Sequence, residues 1–203
     1  MDIQRLENEL KKRLKYPYKW GRKQSNDLDK LTDFIYQTYS LDSLLNKIKP
    51  LSPELKNYAL NRWYNFWSAM AVEHIFAMHS KVTPNKNTYH KLIDFSIEDI
   101  PFDHKTSVFP KGFTQTFSYA KNNKEQLIRW LYKNQSQQGR KHLKNRLFII
   151  LFNKNGEHWK LKAEIMLLKE HIDKYVKNFN KQKLTSIDFG KDKILSDLIW
   201  IAK

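Results

Sequence analysis

The stretch Asn145-Arg-Leu-Phe-Ile-Ile-Leu-Phe-Asn153 constrains the fold more than any other part of the chain. Leu147 to Phe152 are six apolar residues in succession, with no polar alternation, which is the length and composition of a strand covered on both faces. Ahead of it a helical pattern occupies about 124–135. Further upstream, the period-two alternation from Ile93 to Val108 describes two strands joined by a turn near Glu98 to Pro101. Strand, helix and buried strand in that order make a parallel crossover, right-handed by default. The expected class is α/β, or α+β, with a mixed central β-sheet flanked by helices.

Around this centre the punctuation is readable. Leu6, Leu10 and Leu14 line one side of a first helix, Ile3 to Leu14. Asn26 or Asp27 can cap a second helix running to Tyr39, and Ser52 with Pro53 at the first helical position opens a long helix to about His79. The following "SKVTPNKN" has loop chemistry, and "FPKGFTQTFSYAKNN" reads as a loop or short strand. Asn155-Gly156 marks a turn, a helix covers about Trp159 to Asn178, and "SIDF" with "DLIWI" supplies one or two closing strands. Residues 1–55 form a helical N-terminal segment and 56–203 the core, within one compact domain.

Charge narrows the choice of partner. Lys and Arg number 37 against 21 Asp and Glu, a net charge of +16, and such an excess favours polyanions, nucleic acid first among them. Two basic segments are candidate contacts. In the first, Lys15, Lys19, Arg22 and Lys23 are interleaved with Tyr18 and Trp20, which suits phosphate contact with stacking; the second holds Arg140 and Lys141. Either can equally be a solvated face. With no cysteine, disulfides, thiolate catalysis and Cys-ligated metals are excluded. Neither a leader nor a run of eighteen apolar residues is present, so a soluble cytoplasmic protein without a membrane partner is expected. The sequence has no P-loop, no dinucleotide turn and no His-Glu-x-x-His, so no nucleotide cofactor is expected.

The hairpin carries the chemistry. Regular alternation places Asp94, Asp103 and Lys105 on one face and Ile93, Phe95, Ile97, Phe102 and Val108 on the other. Two carboxylates so close repel each other, and a cation between them is expected. His104 then points away from the acids, as a packing residue. Upstream, Glu73 projects from the apolar stripe of the long helix beside Phe66, Ala69, Met70 and Ala77, an expensive position for a carboxylate unless it is paired or bound to metal. The alternative is a helix apolar nearly all round, with Glu73 paired to a base of the N-terminal segment.

Glu73 on a helix, Asp94 on a strand, and Asp103-His104-Lys105 on the next strand, followed by a helix and the "RLFIILF" strand, resemble the PD-(D/E)XK nucleases and their restriction-endonuclease-like core over roughly residues 55–155. Ile93 stands where that family has its nominal Pro. The resemblance implies a Mg²⁺-dependent endonuclease of restriction or repair type that hydrolyses DNA, with Mn²⁺ able to substitute and a homodimer natural for cutting two strands. Asp94, Asp103 and the backbone carbonyl of His104 would hold the metal, and Lys105 would orient or deprotonate the attacking water. Glu73 would bind a second metal or a metal-bound water. An RNA-processing nuclease and a non-catalytic nucleic-acid-binding module on the same fold are the alternatives.

Overall fold

The computed structural model of the chain describes residues 1–20, 24–85, 93–134, 143–190 and 193–203. These fall into two compact units, Met1–His74 with Lys162–Leu168, and Ile75–Leu161 with Lys169–Lys203. The division lies inside the long helix, between His74 and Ile75.

In the first unit α1 (Ile3–Arg13) is capped by the Asp2 carboxylate and buries Leu6 and Leu10, as the leucine spacing requires. α2 (Asn26–Leu31) is shorter than expected and is capped by Ser25, one residue before the anticipated caps; a 3₁₀ turn (Asp33–Gln37) replaces its second half. α3 (Leu41–Ile48) follows. α4 (Pro53–Ala77) starts at the expected proline, with Ser52 Oγ accepting from the Leu55 N–H. α4 buries Tyr58, Ala59, Trp63, Tyr64, Ala71 and Val72, so it is enclosed on most of its circumference. Arg13 is fully buried and donates to the carbonyls of Tyr16 and Pro17 and to Asn61 Oδ1, pinning the end of α1 to α4.

The second unit is built on a six-stranded sheet of β1 (Val82–Pro84), β2 (Phe95–Ile97), β3 (Ile100–Val108), β4 (Arg146–Phe152), β5 (Thr185–Asp188) and β6 (Lys193–Ala202), in the order β1-β2-β3-β4-β6-β5. β1, β2 and β3 form an antiparallel meander, β3, β4 and β6 run parallel, and β5 pairs antiparallel with β6. This is the mixed α/β sheet expected, with the parallel crossover from β3 to β4 in place. β4 is central and buried from Leu147 to Leu151. β1 was expected to be loop. The stretch expected to be loop or short strand after Phe109 instead contains α5 (Phe117–Asn122), capped by Thr116. The helix after Gly156 begins as a 3₁₀ turn (His158–Ala163) before α7 (Ile165–Lys177).

Alternation along the strands sorts the side chains. Phe109, Phe148, Ile150 and Leu198 pack with Leu127, Ile128 and Leu131 of α6 (Lys124–Asn134) on one face. Phe102 lies on the opposite face, edge-on to Phe179 just beyond α7. Among the described residues no helix is long and apolar enough to cross a membrane.

Candidate metal centre

The turn between β2 and β3 lies at Glu98 and Asp99, whose φ values of 46° and 66° are the left-handed pair of a tight two-residue hairpin. The ladder pairs Phe95 with Phe102 and Ile97 with Ile100. Continued regularly, it would set Asp94 opposite Asp103. Instead the Asp94 N–H bonds to the Phe102 carbonyl, so Asp94 and Phe95 both stand against Phe102, the two-against-one arrangement of a β-bulge.

The bulge re-aims Asp94. Its Oδ2 accepts from the His104 backbone N–H at 2.7 Å and lies 2.8 Å from His104 Nδ1. The expected sharing of a face by Asp94 and Asp103 is therefore corrected, and so is the orientation of His104: its side chain turns toward Asp94, not away from the acids. In the tautomer that donates from Nδ1, the ring's lone pair is on Nε2, available to a ligand. Burial alone raises the Asp94 carboxyl, but the hydrogen bonds from His104 and the charges of His104 and Lys105 outweigh it, leaving the pKa below the ordinary carboxylate value.

Glu73 lies one turn before the end of α4. Phe76, on the same side at i+3, stacks on Phe95 with ring centroids 4.3 Å apart, and Phe95 lies parallel to the His104 ring. Glu73, Asp94 and His104 each offer one ligand atom, all within 4.8 Å of one another, with His104 buried and the two carboxylates half-buried. Two carboxylates and an imidazole beside stacked aromatic rings fit a divalent ion. The nitrogen donor suits Mn²⁺, Fe²⁺ or Zn²⁺ better than Mg²⁺, which prefers oxygen throughout.

Asp103 and Lys105 are organised differently. β3 and β4 pair Asp103 with Arg146, and the Asp103 carboxylate takes Arg146 Nε at 2.8 Å on one oxygen and Lys105 Nζ at 2.9 Å on the other. Arg146 in turn lies over the Tyr132 ring of α6, which places this ion pair on the α6 side of the sheet. Asp103 is buried, Lys105 exposed, and Asp103 is not a member of the Glu73 cluster. The cation expected beside the hairpin acids is Arg146 for Asp103, with Lys105 on its other oxygen, while Asp94 is held by the backbone N–H and ring of His104. Alternation directs the His104 carbonyl, like its N–H, along the β2 edge of the strand.

Of the expected nucleic-acid contacts, Lys15 and Lys19 are exposed, while Tyr18 and Trp20 are half-buried. Tyr18 packs edge-on to Tyr64 and Trp20 to Tyr58, so these two rings brace α4. Arg22, Lys23, Arg140 and Lys141 lie outside the described residues. Sequence reasoning missed two residues, the His104 side chain and Arg146. Arg146 was detectable as the charged residue opening the apolar strand, next to Asp103 in a parallel register.

No family model matches the chain, and neither do any curated protein or solved structure with which it was compared.

Proposed function

We propose that the chain is a divalent-metal-dependent phosphodiesterase acting on nucleic acid, with the metal held by Glu73, Asp94 and His104. The observation that carries this reading is the convergence of those three ligand groups from the end of a helix, the residue that enters β2, and β3. The element order, a helix with Glu, a hairpin, a crossover helix and a buried parallel strand, agrees with the nuclease resemblance, and the net charge of +16 suits a polyanionic substrate. A bound divalent ion would supply charge neutralisation at the phosphate and a nucleophilic water at neutral pH. The chain's own part is to fix the donor set: the bulge aims Asp94, Asp94 orients the His104 ring, and Phe76 on Phe95 steadies α4.

The proposed set departs from the one the resemblance implies, since Asp103 is engaged by Arg146 and Lys105 is drawn to Asp103. That same observation favours a second reading, a nucleic-acid-binding module without catalysis, because the lysine assigned to the water is ion-paired elsewhere. Incubation with supercoiled plasmid DNA, and in parallel with RNA, in Mn²⁺, Mg²⁺ or EDTA separates the two. Nicking expected in Mn²⁺ should vanish in EDTA and in His104→Ala and persist in Lys105→Ala. Binding of DNA without cleavage in either metal would support the second reading and overturn the first.

A further inference from the structure

Three features outside this ligand set stand out: the half-buried Lys162, the cleft lined by Lys144, Asn145 and Lys193, and the buried hydroxyl of Thr106. Lys162 donates to Asn65 and has its pKa lowered to about 8 by burial, with nothing beside it that identifies a ligand. The cleft is an open concavity whose lysines point to no particular anion. Thr106 is tied to the cluster by geometry.

Thr106 stands two residues beyond His104 on β3, so the two side chains share a face about 6.6 Å apart along the strand. Its neighbour in the β4 register is Ile149, fully buried. Among the described residues its Oγ1 is shielded from solvent and has no hydrogen-bond partner. Valine would have the same outline, the same strand preference and no unsatisfied hydroxyl, so packing alone does not explain a threonine there. The hydroxyl lies on the same face of β3 as the His104 side chain, and a hydrated ion held by that group would bring the hydrogen-bonding partners it lacks.

We infer that Thr106 is a fourth polar member of the centre, a positioning residue whose hydroxyl engages the hydration shell of the ion held by Glu73, Asp94 and His104. The inference rests on the metal reading above. In this arrangement the site is set by the even-numbered residues of β3, His104 and Thr106, and the odd-numbered pair Asp103 and Lys105 serves the other face.

The test is titration of the metal-free full chain with MnCl₂, reading free Mn²⁺ by its electron paramagnetic resonance signal, with circular dichroism melts to verify folding. Wild type is expected to bind Mn²⁺ and Asp94→Asn to lose binding. Thr106→Val should weaken binding about 10- to 100-fold, the usual effect of removing a hydrogen-bonding group around a metal site, while Thr106→Ser stays near wild type. Thr106→Val binding as tightly as wild type, with Asp94→Asn still defective, overturns the role of Thr106 and leaves the metal reading standing. Absence of Mn²⁺ binding by the wild type overturns both.

Discussion

Replacing Arg146 with Met tests which cation holds Asp103. The Asp103 side chain is 9 % exposed, its partner Arg146 12 % and its other partner Lys105 47 %. Removing one member of a buried pair typically costs about 3–5 kcal/mol, because it strands the remaining charge. Here Lys105 stays within reach and offsets part of that, while the stacking of Arg146 on Tyr132 is also lost. The expected loss for Arg146→Met is about 2–3 kcal/mol. Met keeps the apolar stem, so the figure isolates the guanidinium. Lys105→Ala removes a half-solvated partner and should cost under about 1 kcal/mol. For a chain of this size Arg146→Met then lowers Tm by about 4–12 °C, read by circular dichroism melts in EDTA. Asp103→Asn and the double variant complete a cycle whose coupling should reach about 1–3 kcal/mol. Equal, small losses for Arg146→Met and Lys105→Ala, with no coupling to Asp103, would refute the assignment of Asp103 to a structural ion pair.

Other consequences follow from the hairpin. Asp94 has a folded pKa below its unfolded value of about 3.9, so its stabilising contribution is present above that value and lost as pH falls through the folded pKa; Asp94→Asn should flatten the acid limb of stability below about pH 4, measured by melting in EDTA across that range. Asp99 holds φ at 66° without being glycine, and Asp99→Gly should stabilise by about 0.5–1 kcal/mol in urea denaturation; a loss would mean that its side chain supports the turn. Thr106→Val, which removes a buried hydroxyl lacking a described partner, should stabilise the metal-free protein by about 1 kcal/mol, opposite in sign to its effect on Mn²⁺ affinity.

The parts of the fold that were legible are those where one residue type has one physical outlet. Leu6 and Leu10 at helical spacing, Ser52 before Pro53, and the unbroken apolar run of β4 each admitted a single reading, and the crossover followed from their order. β1 was hidden because Val82-Thr83-Pro84 is three residues long and ends in proline, a composition that serves loops equally well. α5 was hidden because the Pro and Gly ahead of Thr116 outweighed six residues of helix. At the site, residue types were legible and their pairing was not. Alternation gives faces only while the ladder is regular, and one extra residue opposite Phe102 exchanges the face of Asp94 without changing any residue's propensity.

That single irregularity also explains how the hairpin can carry two acids without mutual repulsion dominating. Regular pairing would hold Asp94 and Asp103 about 5 Å apart at Cβ, and a carboxylate pair that close drives one member toward protonation. With the bulge, the Asp103 carboxylate is drawn to the face where Arg146 and Lys105 lie, and Asp94 to the side of His104. Burial works to raise the Asp94 carboxyl, and the hydrogen bonds and charge on the His104 side outweigh it. What remains close to Asp94 is Glu73, contributed by the end of α4. In the proposed centre a bound cation would offset the closeness of these two carboxylates, with the His104 imidazole as the third donor. For that reason Mn²⁺ binding by the metal-free chain, and not DNA cleavage, is the measurement on which the proposed centre first depends.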